Sequence, residues 1–216
     1  MTDCWSAAIE RKALTAKLSA DDLTLIRGER CLFQGLGFAL NPGELLLLRG
    51  QNGSGKTSLM RAIAGLLSLE SGEILWGGEP VLQQRQLFHG SLVWLAHSSG
   101  LKADLTLVEN LEFERALRPQ SVHEPEHVFE RLGIERLKGL PVRFLSAGQQ
   151  RRVAFARMLL ADVPLWLLDE PFTNLDQDGR KLVTELTEEH LASGGLCVMS
   201  AHQDVDIAAT IKTVAL

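Results

Sequence analysis

Cysteine is scarce in this chain, and the three that occur, Cys4, Cys31 and Cys197, lie far apart. No pair is spaced as C-x-x-C, which excludes the usual zinc and redox-dithiol patterns; free thiols in a reducing cytosol are expected instead. Long apolar runs are missing too. None approaches the roughly 18 residues needed to cross a bilayer. Residues 1–16 carry Glu10, Arg11 and Lys12 and no long apolar core, so they read as a tail and not as a signal peptide. Positive charge is not in excess. A net charge of -5 argues against a partner held through a nucleic-acid backbone. Internal repeats and low-complexity segments are absent.

What is present is globular material. The 216 residues are 45% hydrophobic, enough for a substantial core in one domain that has room for an insertion. Apolar, strand-like segments fall at 23–26, 32–40, 44–49, 73–76, 92–96, 165–169 and 196–200. Three of them, 45–48, 165–168 and 196–199, are near-continuous apolar runs, as expected of parallel strands covered on both faces. Helical segments are predicted after residue 56, over 147–161 and over 178–192. The alternation indicates an α/β sheet. Between about 102 and 145 the texture changes. Strand runs stop, charge density rises, and Val108, Leu111, Phe113, Ala116 and Leu117 recur at helical spacing. A helical insertion is expected there.

The chemistry starts at Gly50-Gln51-Asn52-Gly53-Ser54-Gly55-Lys56-Thr57, followed by Ser58. This run fits G-x-x-x-x-G-K-[ST] between a predicted strand and a predicted helix, the phosphate-binding loop of nucleotide hydrolases. Its glycines let consecutive backbone N–H groups turn toward an anion. The helix start adds its positive end. Lys56 is expected on the outer phosphates and Thr57 on Mg²⁺, which makes a nucleoside triphosphate with Mg²⁺ the expected ligand. A second element is Leu165-Trp166-Leu167-Leu168-Asp169-Glu170, a buried strand ending in two acids. Their side chains leave the strand in opposite directions. Asp169 can then address the metal while Glu170 polarises an attacking water. A third is Leu145-Ser146-Ala147-Gly148-Gln149. Ser146 and Gln149 fit a capping box, which is an ordinary helix start and also an anion site.

The order of these elements, with Asn174-Leu175-Asp176 and a late His202, resembles the nucleotide-binding subunits of ABC transporters. The resemblance runs from about Leu18 onward and implies a P-loop NTPase fold. That fold has a mainly parallel core sheet, an antiparallel β portion near the N-terminus and a helical insertion. It divides the chain into a tail (1–16) and an ATP-binding domain (17–216). The domain has a core over 17–101 and 146–216 and a helical subdomain over about 102–145. It also implies a homodimer in the ATP-bound state, in which two copies sandwich two ATP molecules. Ser146, Gly148 and Gln149 would then touch the γ-phosphate of the other copy's nucleotide. Asp176 would lie at the seam, Glu170 would be the general base and His202 would contact the γ-phosphate. Departures from the family pattern fall at two positions. Ser98 stands where a metal-binding glutamine is usual, and Arg27 stands where an aromatic residue usually stacks on adenine; a guanidinium plane can stack there as well.

Within the family, residues 97–111, 145–152 and 164–172 are similar to the ATP-binding subunits of the cytochrome c maturation machinery. That likeness implies ATP hydrolysis coupled to integral membrane permease subunits, for heme export or release of a heme-carrying chaperone. It implies a peripheral location on the cytoplasmic face of the inner membrane. Trp76, Trp94 and Trp166 lie in strands and read as core, so direct heme binding is not expected. A switch with low turnover is an alternative that Ser98 permits. A soluble ABC ATPase of ribosomes or DNA is another, although this chain carries neither a second nucleotide domain nor a long coiled coil. His123-Glu124-Pro125-Glu126-His127 matches the zinc-protease pattern H-E-x-x-H. Pro125 belongs at a helix start, which puts the two histidines off a common helical face and rules the match out. Arg151 and Arg152 read as part of a solvated face, with a role at the second anion site or a partner contact as the alternative.

Overall fold

A computed structural model describes residues 16–117, 124–201 and 205–216. Five strands form a parallel sheet: β3 (Glu44–Arg49), β6 (Leu92–Leu95), β7 (Leu165–Asp169), β8 (Leu196–Ser200) and β9 (Thr210–Ala215), in the order β6-β7-β8-β3-β9. Four more form an antiparallel sheet: β1 (Leu18–Arg27), β2 (Arg30–Leu40), β4 (Ser71–Trp76) and the short β5 (Glu79–Pro80), ordered β2-β1-β4-β5. Both the parallel core and the antiparallel portion expected from the sequence are present.

Alternation along the apolar runs builds two cores from one sheet. Leu46, Leu48, Leu165, Leu167, Leu196 and Val198 face one side. There they meet the antiparallel sheet, α1 (Lys56–Ile63) and Phe88 of α2 (Arg85–Gly90). Leu45, Leu47, Trp166, Leu168, Cys197 and Met199 face the other. Their neighbours are α3 (Leu107–Leu117), α4 (Pro125–Leu132), α5 (Ala147–Ala161) and α6 (Gln177–Ala192). Each fully buried leucine contributes about 2 kcal/mol of apolar burial. Such strands have no solvent face, and hence no polar alternation. β9 has the opposite character. Its pattern Thr-Ile-Lys-Thr-Val-Ala is mostly exposed, as befits an edge strand, and the apolar-run criterion misses it.

In the insertion, α3 and α4 both pack on α5 through Leu111, Val128, Phe129 and Leu132. Pro125 stands in the first turn of α4, where its missing N–H costs nothing. That placement agrees with discarding the protease motif; His123 itself lies outside the described residues. Trp76 and Trp166 are buried in the two cores and Trp94 packs against one of them.

Candidate active site

Parallel strands all end on the same edge of their sheet, and that edge collects the functional side chains. β3 ends at the phosphate-binding loop, β7 at Asp169, β8 at Ser200, and Ser98 lies exposed three residues past the end of β6. Since β8 separates β7 from β3, the loop must reach over it for Thr57 to meet Asp169.

The loop is built to receive an anion. Gly50 has φ 153, and a Cβ there would lie 2.5 Å from Ser54 Oγ. Gly55 caps α1 at φ 114, with no side chain capping the first turn and no acid in it. The helix therefore presents its positive end uncompensated. Gln51, Asn52 and Gly53 are exposed, and Ser54 Oγ is buried without a partner among the described residues. An orphaned buried hydroxyl inside a glycine-lined turn fits a phosphate that would supply the missing bond. Lys56 is buried and folded back over the loop, its Nζ donating to Gly50 O at 2.7 Å and Gln51 O at 3.0 Å. Ser58 follows in the first turn of α1, half-buried.

Asp169 is buried, and two hydroxyls hold its carboxylate. Thr57 Oγ1 donates to Oδ2 at 2.9 Å and Ser200 Oγ donates to Oδ1 at 2.6 Å. A threonine hydroxyl against a carboxylate is the donor pair suited to hydrated Mg²⁺. Among the described residues there is no cluster of three or more His, Cys, Asp or Glu that could hold a metal by itself. Any such ion would therefore share its shell with phosphate and water. Glu170 comes next, half-buried, with φ 50. A left-handed conformation at a non-glycine residue costs about 1–3 kcal/mol and persists only where the surroundings enforce it. Here Glu170 N–H donates to Ser200 Oγ at 3.0 Å and to Ser200 O at 3.2 Å.

Ser146 and Gln149 form the capping box that their spacing predicts. Gln149 N–H donates to Ser146 Oγ at 3.2 Å, and Ser146 N–H donates to Gln149 Oε1 at 2.9 Å. Ser146 is exposed, and Gly148 packs near Asn174 O. The helix start thus faces outward instead of into its own core. Asp176 caps α6 by accepting from Gly179 N–H at 2.8 Å. Arg27 is exposed at the turn between β1 and β2. His202 lies outside the described residues.

Two contributors escaped the reading of the sequence. Ser200 ends an apolar run just as Asp169 does and pairs with it across the sheet, a correspondence visible in the sequence. Arg151 is buried, not part of a solvated face. It shares a helical face with Ala154, Phe155 and Met158, all buried, and that spacing was the available signal. Burial pushes its guanidinium down to about 10, against the opposing charges of Asp169 and Glu170, so it stays protonated at neutral pH. Arg152 is half-buried and donates to Leu132 O at 2.9 Å.

Residues 33–173 match the family model described as ABC transporter. The chain belongs to the ABC transporter family of ATP-binding proteins. It is therefore an ATP-binding protein. The chain is 45% identical over 194 residues to the cytochrome c biogenesis ATP-binding export protein CcmA of Methylococcus capsulatus, covering 89% of this chain and 94% of that one. It is 44% identical to the protein of that name in Vibrio cholerae, over 87% of this chain and 92% of the relative. Within the family it is thus CcmA-like. A solved structure described as the ATP-binding subunit of an ABC transporter superposes with a TM-score of 0.79 at 25% identity, over 86% of this chain and 79% of that one.

Proposed function

We propose that this chain hydrolyses ATP to power a membrane complex of c-type cytochrome maturation, at heme export or the release of a heme-carrying chaperone. The ATPase reading is carried by one observation: hydroxyls from the phosphate loop and from β8 converge on Asp169, with Glu170 adjacent. The cytochrome branch is supported by relatives named for cytochrome c biogenesis that are 41–45% identical over nearly their whole length.

In this reading Lys56 leaves the carbonyls of Gly50 and Gln51 for the outer phosphates. The N–H groups of the loop and of the first turn of α1 bind the phosphate oxygens. Mg²⁺, held by Thr57 and Asp169 with Ser98 contributing through water, would neutralise phosphate charge when bound. Glu170 takes a proton from the attacking water as its oxygen adds to the γ-phosphorus. The bond to the β–γ bridging oxygen breaks, and ADP and inorganic phosphate leave. A second copy covers the nucleotide with Ser146, Gly148 and Gln149, and Asp176 lies at the seam. His202 contacts the γ-phosphate, and Arg27 stacks on adenine.

No helix among the described residues is long and apolar enough to cross a membrane. The family assignment supports peripheral attachment to integral permease subunits, which the proposal puts on the cytoplasmic face of the inner membrane. Heme and nucleic acid are not ligands of this chain in the proposal.

Phosphate release with Mg-ATP tests the reading, together with recovery of the chain from membranes and identification of the integral proteins that accompany it. Glu170→Gln should cut release to a small residual rate and trap an ATP-bound dimer; hydrolysis at the wild-type rate refutes the assignment of the base. The exposed, short side chain of Ser98 favours one rival, an ATP-gated switch. Zero turnover even with the membrane partners present would decide for it.

A further inference from the structure

Arg151 is a buried cation that the mechanism above leaves unused. Its three guanidinium nitrogens make four hydrogen bonds, all to backbone carbonyls. Nη2 donates to Asp169 O at 3.1 Å and to Glu170 O at 2.8 Å; Nε donates to Pro171 O at 3.2 Å and Nη1 to Ala96 O at 3.1 Å. Three of these acceptors are consecutive in the chain. In an extended strand successive carbonyls point in opposite directions, so three in a row cannot converge on one side chain. Convergence requires the backbone to break from the extended form, and it breaks at Glu170, at φ 50.

The residue is gripped from both ends. Ser200 holds its N–H. Arg151 holds its carbonyl and those on either side. A planar fork of donors suits this task, and a lysine ammonium on a flexible stem cannot span the same acceptors. Arg151 also stands on the second turn of α5, whose exposed start carries Ser146. One guanidinium therefore joins α5 to the loop bearing the acids and, through Ala96, to the segment that leads to Ser98.

We infer that Arg151 is a positioning residue: it locks Glu170 in its left-handed conformation and so aims the carboxylate at the attacking water. The inference rests on the reading of Glu170 as the base. Its signature is a split between rate and affinity. The phosphate loop, which sets affinity, makes none of these four bonds, whereas the base depends on them. A base displaced by about 1 Å loses roughly a hundredfold in rate.

The test uses the full chain with its co-purified membrane partners. Arg151→Met should lower kcat for ATP by roughly ten- to a hundredfold. KM, and the affinity for a fluorescent ATP analogue, should stay within threefold. Arg151→Lys, which keeps the charge without the fork, should recover only part of the rate. In the Glu170→Gln background, Arg151→Met should cost nothing further, because the group it positions is gone. An unchanged kcat overturns the inference. So does a parallel loss of kcat and affinity, or an equal loss in the Glu170→Gln background. Should Arg151→Met fail to fold, Arg151→Lys is judged by the same kcat, KM and double-mutant criteria. Wild-type hydrolysis by Glu170→Gln would instead refute the base itself, so the two failures are distinct.

Discussion

At the scale of single residues, the site is a set of polar groups each held by a partner that a nucleotide would replace. Lys56 rests on two carbonyls, and Thr57 rests on Asp169. The ammonium bond to a carbonyl joins one charge to a dipole, whereas its bond to phosphate joins two opposite charges, the stronger attraction. The exchange therefore favours the bound state. Lys56→Ala should weaken ATP binding by roughly ten- to a hundredfold, readable by equilibrium titration with a fluorescent nucleotide. Unchanged affinity would show that Lys56 stays on its carbonyls when nucleotide binds.

At the scale of elements, the start of α5 serves two purposes that substitution can separate. Its capping box secures the helix, and in the proposed dimer its exposed face meets the second copy. Ser146→Ala removes the cap and should cost about 1 kcal/mol of stability, measured by denaturant unfolding. Ser146→Arg loses the same cap and adds bulk. It should block the nucleotide-dependent dimer in gel filtration while single copies still bind ATP. Dimers formed as readily as in the wild type would place the contact elsewhere.

At the scale of the whole molecule, two cores share one sheet, and a half-buried titratable group packs against one of them. The His190 ring stacks on Trp166 with centroids 4.0 Å apart, and its Nε2 lies 3.2 Å from Leu196 O. Burial pushes its pKa down to about 4, against carbonyl contacts that raise it. The folded pKa lies below the ordinary value of 6.5, so the unfolded chain takes up the proton first. The stability that neutral His190 provides is complete above the ordinary value and drains away as pH falls toward the folded one. Between pH 7.5 and pH 5 the loss should be about 2 kcal/mol, read from urea midpoints. His190→Phe should flatten that part of the profile; an unaltered pH dependence would assign the acid sensitivity to other groups.

Much of this protein could be read without coordinates, because spacing along a chain is local geometry. G-x-x-x-x-G-K-T fixes a turn and a helix start, four leucines fix a strand buried on both faces, and Ser146 with Gln149 fixes a cap. The order of motifs sufficed for the family and for the antiparallel portion that comes with it. The fold decided what depends on residues distant in sequence. It set Ser200 beside Asp169 by strand register and carried the phosphate loop over β8 to bring Thr57 to the same carboxylate. It placed β9 at an edge where no apolar run is needed. Arg151 shows the division most clearly. An arginine in a polar stretch is solvated by default, because burying its charge is costly. Only the packing of α5 against the ends of β6 and β7 supplies the four carbonyls that make the buried position tolerable.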